Sequence, residues 1–127
     1  MYSNCGHNRP LLLDRNGEMK RLSCGGPALG VSHDAQFDAE AVHFDPCDML
    51  VLYTDGVVEV MDDSDQEFGE ERLERILRDS AHLSAEETVR VVVDQTRTFA
   101  GHESYPDDLT IVVIRNSGNR PLNHRTP

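Results

Sequence analysis

The sequence predicts an α/β domain of the α+β kind, with antiparallel strands and two helices in its C-terminal half, and three observations predict it. Residues 49–54 and 109–114 are apolar, largely β-branched runs with almost no polar break, the pattern of strands covered on both faces. Leu73, Ile76 and Leu77 stand at helical spacing, and Val89, Val92, Val93, Thr96 and Phe99 form a second stripe. Two short apolar stretches flank Arg15-Asn16-Gly17, and Asn-Gly between such stretches marks a hairpin.

In chain order, residues 1–10 look like a strand end running into a Gly6-His7-Asn8 turn. Residues 11–14 and 18–22 are the hairpin arms. Residues 23–30, with Gly25, Gly26, Pro27 and Gly30, form a loop. The alternation of Phe37, Ala39 and Ala41, then Val42 and Phe44, predicts an irregular strand over 35–44. Residues 45–48 turn into the central strand, which stops at Asp55-Gly56, a turn signal that tolerates positive φ. Asp62, Asp63, Asp65 and Glu67 lie in a solvated loop, because the spaced glycine and closing glutamate of a calcium loop are missing. The first helix runs to about Ser80. The second starts at Ser84, whose partner Glu87 completes a capping box, and ends at Gly101-His102. Residues 1–115 read as one domain and 116–127 as a disordered tail.

The chain has 127 residues, 38% hydrophobic, with mean hydropathy −0.50, a length that supports one core. No apolar run approaches the roughly 20 residues of a membrane span, and no basic-then-apolar leader opens the sequence, so a cytoplasmic location is expected. Net charge is −11, from 12 Lys and Arg against 23 Asp and Glu, which disfavours nucleic acid and anionic membrane and favours cations or a basic partner. Cys5, Cys24 and Cys47 lack CxxC spacing and read as reduced, mostly buried residues, neither a disulfide framework nor a zinc site.

Acids adjoin both buried runs: Asp55 follows the first, and Asp107-Asp108 precede the second. If those strands pair antiparallel, Asp55 and Asp107 converge at one sheet edge. Two converging carboxylates repel unless a cation or proton lies between them, and oxygen-only donors suit Mg²⁺ or Mn²⁺. Turn chemistry accounts for each acid separately, and a shared cation accounts for both. His33, His43, His82, His102 and His124 are scattered and form no ligand cluster. His7 stands in a turn near the expected site. Glu59 reads either as a group bonding metal-bound water or as a helix-start acid.

Asn4-Cys5-Gly6-His7-Asn8-Arg9-Pro10, Gly30, residues 52–59 with Tyr53-Thr54-Asp55-Gly56, Phe68-Gly69-Glu70-Glu71-Arg72-Leu73 and Asp107-Asp108-Leu109-Thr110 occur in one order. Together they resemble the SpoIIE-type branch of the metal-dependent protein serine/threonine phosphatases, over about residues 2–115. The resemblance implies an α–β–β–α sandwich of two antiparallel sheets, of which this chain is a partial, C-terminal portion. It implies hydrolysis of phosphoserine or phosphothreonine on a regulatory protein, such as an anti-sigma-factor antagonist, by a water bridging two Mn²⁺ or Mg²⁺ ions. Asp55 and Asp107 would be catalytic metal ligands, with Gly56 in the same metal-binding set and Asp108 an outer neighbour or alternative ligand. The family's Gly-Asp-x-x-Gly-His-Gly-like metal segment has no counterpart here. Two expectations follow: a clipped phosphatase, weakly active or inactive alone, or a non-catalytic phosphatase-like module acting in protein–protein interaction. Either would expose apolar surface and form a homodimer or bind a complementary fragment.

Overall fold

In the computed structural model, which describes residues 1–101 and 108–118, the strands β1 (Asn4–Cys5), β2 (Leu11–Leu13), β3 (Met19–Arg21), β4 (Gly25–Gly26), β5 (Met49–Tyr53) and β6 (Ile111–Arg115) accompany the helices α1 (Asp55–Val58), α2 (Gly69–Asp79) and α3 (Ala85–Ala100). Strands β3-β2-β5-β6 form a four-stranded antiparallel sheet, and β1 pairs in parallel with β4. The described residues thus show one large sheet with helices on one face, the mixed α/β arrangement expected. The loop 102–107, with Asp107, and the tail 119–127 lie outside the described residues.

The hairpin forms where Asn-Gly predicts it. Leu13 faces Met19, and Gly17 N–H donates to the Asp14 carbonyl at 3.1 Å. Asp14 Oδ1 also accepts from the N–H groups of Asn16 and Glu18, both at 2.8 Å, and these bonds hold its carboxyl below the usual carboxylate range.

Strand β5 departs from the expected burial on both faces. Met49, Val51 and Tyr53 are fully buried beneath the helices, whereas Leu50 and Leu52 are half-buried. Strand β6 starts at Ile111, two residues later than expected, and alternates the same way, leaving Val112 and Ile114 47% and 43% exposed. Because directly paired residues share a face, the register Leu12↔Leu50↔Ile114 and Leu52↔Val112 places these side chains together on the sheet's outer face. The expected strand over 35–44 reduces to one bridge, Tyr2↔Glu40. The segment is tied down by side chains instead: Tyr2 Oη donates to Glu40 at 2.8 Å, and Lys20 pairs with the same carboxylate at 2.5 Å.

Helix α2 buries Leu73 and Leu77; fully burying a side chain of that size contributes about 1.5–3 kcal/mol. Helix α3 carries the expected capping box: Ser84 Oγ accepts from Glu87 N–H at 3.2 Å and Glu87 accepts from Ser84 N–H at 2.8 Å. Gly101 closes it at φ +67, a left-handed cap that suits glycine. Its buried line is Thr88, Val92, Thr96 and Ala100, with Val89, Val93 and Phe99 on the flanks. Thr88 and Thr96 can be buried because their hydroxyls donate to the Ser84 and Val93 carbonyls, each at 2.9 Å. The cysteines, expected to be mostly buried, are free: Cys5 and Cys24 are half-buried, and Cys47 is exposed on a turn at φ +78.

Arg115, at the end of β6, ties the sheet to α2. Its Nη2 donates to the Ser80 carbonyl at 3.1 Å and the Ala81 carbonyl at 2.6 Å, satisfying groups at the helix C-terminus. Its Nε is buried and has no partner among the described residues. Arg115→Met should therefore destabilise the fold by about 1–3 kcal/mol, the cost of losing charged hydrogen bonds to the part-buried Ser80 carbonyl and the exposed Ala81 carbonyl, partly offset by removal of the buried Nε. The urea midpoint checks this, and an unchanged midpoint would show that water serves those carbonyls equally well. Asn116, expected within the tail, is held against the fold: it donates to the Asp48 and Phe44 carbonyls at 3.1 and 2.8 Å.

Candidate functional site

The end of β5 and the start of β6 meet at one edge of the sheet. Tyr53 pairs with Ile111, and the ladder continues one residue further, with Thr54 N–H donating to the Thr110 carbonyl at 3.1 Å. Thr54 is the N-cap of α1 but makes no side-chain cap bond. Its hydroxyl instead accepts from Thr110 N–H at 3.2 Å, across 56 positions of sequence. These two threonines clamp the segments that carry the acids. Sequence reasoning missed the clamp; its trace is that both acidic motifs contain a threonine beside their strand.

Beyond Thr54 the chain enters α1 rather than a left-handed turn. Gly56 lies outside the positive-φ region, so the reason for glycine is space. A Cβ there would sit 2.4 Å from the Asp108 carbonyl oxygen. The backbone carrying Asp55 is therefore pressed directly against the backbone carrying Asp108. Val57 and Val58 are buried and fix α1 from inside. Asp55 is exposed, and its Oδ1 accepts from Gly56 N–H at 2.9 Å. Asp108 is exposed and makes no side-chain hydrogen bond or ion pair among the described residues. Asp107 lies outside them, so the expected Asp55–Asp107 approach is represented by its neighbour alone.

Glu59 sits at the end of α1, not its start: its N–H donates to the Asp55 carbonyl at 2.8 Å, and its side chain is exposed. The antiparallel register Leu11↔Val51 brings the residues preceding β2 toward the end of β5 that leads to Asp55. There Asn4 shapes the turn, accepting from His7 N–H at 2.8 Å and donating to the His7 carbonyl at 2.9 Å. The exposed His7 lines an apolar recess with Cys5, Leu50 and Leu52. Asp62 organises the acidic loop internally, its Oδ1 accepting from Ser64 and Gln66 N–H groups, in keeping with a solvated loop.

Tyr53, below the site, is buried and donates to Glu70 at 3.1 Å. Burial, and then the Glu70 charge, hold its phenol well above the ordinary tyrosine value, so it stays a neutral donor. Arg21 bridges Glu70 and Glu74 on α2 at 2.7 and 2.6 Å. These partly exposed pairs orient Glu70 more than they stabilise, at about 0.2–1 kcal/mol each.

Donor chemistry at the edge is oxygen only, which suits a hard divalent cation. Among the described residues no group of three or more His, Cys, Asp or Glu is arranged to hold a metal. Asp55 and Asp108 fit such an ion in kind, as part of a set that other ligands would complete.

The family described as Stage II sporulation protein E (SpoIIE) matches residues 1–117. Protein IcfG of Synechocystis is 31% identical over 116 residues, 89% of this chain and 18% of that protein. Phosphoserine phosphatase RsbU of Bacillus subtilis is 27% identical over 116 residues, 90% of this chain and 34% of that protein. The chain thus spans about a third or less of these two relatives. Among solved structures, the SiaA-PP2C domain of Pseudomonas aeruginosa superposes with a TM-score of 0.72 at 22% identity, covering 87% of this chain and 44% of that one. The manganese-soaked phosphatase domain of SpoIIE from Bacillus subtilis does so at 0.64 and 15%, covering 94% and 57%; at such identities the likeness is one of fold. With a family match over nearly all of its length, this chain belongs to the SpoIIE family, and one of its relatives here is a phosphoserine phosphatase.

Proposed function

We propose that this chain carries one wall of a metal-dependent phosphatase site that hydrolyses phosphoserine or phosphothreonine on a regulatory protein, with Asp55, Asp107 and Asp108 as its acids. The observation that supports this most is the Gly56–Asp108 backbone contact, which holds the two acidic segments at one place. Asp55 would hold Mn²⁺ or Mg²⁺ through the carboxylate oxygen not engaged by Gly56 N–H, with Asp107 or Asp108 as the second acidic donor. A bound divalent cation supplies charge neutralisation at phosphoryl oxygens and an acidified water. The chain's own part is positioning: the Thr54–Thr110 clamp fixes the two segments, and buried Val57 and Val58 keep Asp55 from withdrawing. An anti-sigma-factor antagonist is the kind of phosphoprotein this reading anticipates.

A second reading, a phosphatase-like module working in protein–protein interaction, is favoured by the apolar outer face of the sheet, where Val112 and Ile114 are exposed. Manganese titration followed by electron paramagnetic resonance separates the two. Weak binding is expected, lost in Asp55→Asn with the circular dichroism spectrum unchanged, together with little or no turnover of p-nitrophenyl phosphate by residues 1–127 alone. Binding indifferent to Asp55→Asn would remove the metal site from this edge. Turnover matching a complete domain, abolished by that substitution, would mean that these residues suffice.

A further inference from the structure

Helices α2 and α3 form a groove of about 400 Å³ on the side of the helical layer that carries Arg72, Arg75 and Phe99. Its floor is apolar: Phe68 is buried and meets Phe99 edge-on, ring centroids 5.4 Å apart at 76°. Arg72 lies over the Phe99 ring at 4.7 Å, and its Nη1 donates to the Glu67 and Phe68 carbonyls, each at 2.8 Å. That side chain is locked in place, with donors remaining on its guanidinium. Arg75, one turn on, is exposed and makes no ion pair among the described residues.

This is unusual in a chain of net charge −11. Other arginines near by are neutralised: Arg21 pairs with Glu70 and Glu74, Arg78 with Glu74, and Arg90 with Glu86. Arg72 and Arg75 stand over an aromatic floor with no carboxylate bound to either among the described residues, although Glu70 and Glu71 share the adjoining recess with them. The opposite rim, Gln95 and Thr98, is neutral, and Asp79 closes the far end. The groove therefore has one cationic end, an apolar middle and one anionic end.

From that complementarity we propose that the groove docks an acidic peptide segment of a partner protein, with one apolar side chain on Phe99 and Ile76 and carboxylates on Arg72 and Arg75. Asp79 sets the direction, since an acid at its end would be repelled. The proposal is independent of the metal site, which lies at the sheet edge.

Fluorescence anisotropy tests it, using the full chain and a fluorescein-labelled peptide of one leucine flanked by glutamates. At about 0.15 M salt the screening length is about 8 Å, so the groove's charges act on the peptide while the distant net charge is damped. Saturable binding is expected, weakened about tenfold by Arg75→Glu and similarly by Gln95→Glu, which puts an acid on the neutral rim. Asp79→Asn should tighten it, and Asp55→Asn should leave it unchanged. A peptide with glycine in place of leucine should bind more weakly, and one with lysines in place of glutamates should not bind. Arg75 and Gln95 are exposed, so their variants keep the fold, as circular dichroism would verify. No saturable binding, binding indifferent to both Arg75→Glu and Gln95→Glu, or equal binding of the lysine peptide would overturn the proposal.

Discussion

Gly56→Ala should destabilise the chain by about 1–3 kcal/mol, the usual cost of forcing a methyl group into filled space. The sign is informative because helix propensity argues the other way, favouring alanine over glycine by about 1 kcal/mol within a helix. Here the added Cβ would lie 2.4 Å from the Asp108 carbonyl oxygen, and the obstacle is backbone, with no rotamer to escape into. Relief requires α1 to lift, against the burial of Val57 and Val58, or the Asp108–Thr110 segment to move away, which breaks the Thr54–Thr110 bonds. Either route separates Asp55 from Asp108. Urea unfolding should show a lower midpoint with an unchanged slope, and hydrogen exchange should show lost protection at the Thr54 and Thr110 amides. Gly17→Ala is the control: its Cβ would meet nothing within 4 Å, so only the φ of +86 opposes it. A Gly56→Ala protein as stable as the parent, with those amides still protected, would mean that the contact does not hold the acidic segments together.

What could be read from the sequence was what depends on near neighbours. The Asn16-Gly17 hairpin and the Ser84–Glu87 capping box are complete within a few residues, and both form as the residue types dictate. The meeting of the end of β5 with the start of β6 was readable too, because antiparallel pairing of the two apolar runs leaves little else for their ends to do. The Thr54–Thr110 clamp was not, since a hydroxyl bond across 56 positions leaves no local pattern. The centre of the α3 stripe was misjudged because Thr88 and Ala100 do not count as strongly apolar, although Thr88 hides its hydroxyl on its own helix. Alternation over 35–44 suggested a strand, but a strand also needs a neighbour offering a continuous row of hydrogen-bonding groups, and here the segment finds only isolated backbone bonds, Glu40 with Tyr2 and Asp38 with Gly25. Composition likewise suggested mostly buried cysteines, whereas a turn exposes Cys47.

The outer face of the sheet should make residues 1–127, prepared alone, associate increasingly as salt is raised. Leu12 is buried there, Leu50 and Leu52 are half-buried, and Val112 and Ile114 are a little under half exposed, all on one face by register. Within the described residues β6 is also an edge strand, with one side of its backbone unpaired. An apolar face beside an open edge recruits other polypeptide, a second copy or a complementary fragment. A net charge of −11 opposes that recruitment by mutual repulsion, and raising ionic strength screens the repulsion while leaving apolar burial intact. Sedimentation velocity should show a monomer near 0.01 M salt, where the screening length is about 30 Å, giving way to larger species near 1 M, where it is about 3 Å. Substituting both exposed residues, Val112→Lys and Ile114→Lys, should hold the chain monomeric at every salt concentration, because two charges would have to be buried for the faces to meet. Both side chains point away from the helices, so the variant should retain the unfolding free energy of the parent to within about 0.5 kcal/mol. A compact monomer at all salt concentrations, in the parent as in the double variant, would show that this face needs no cover.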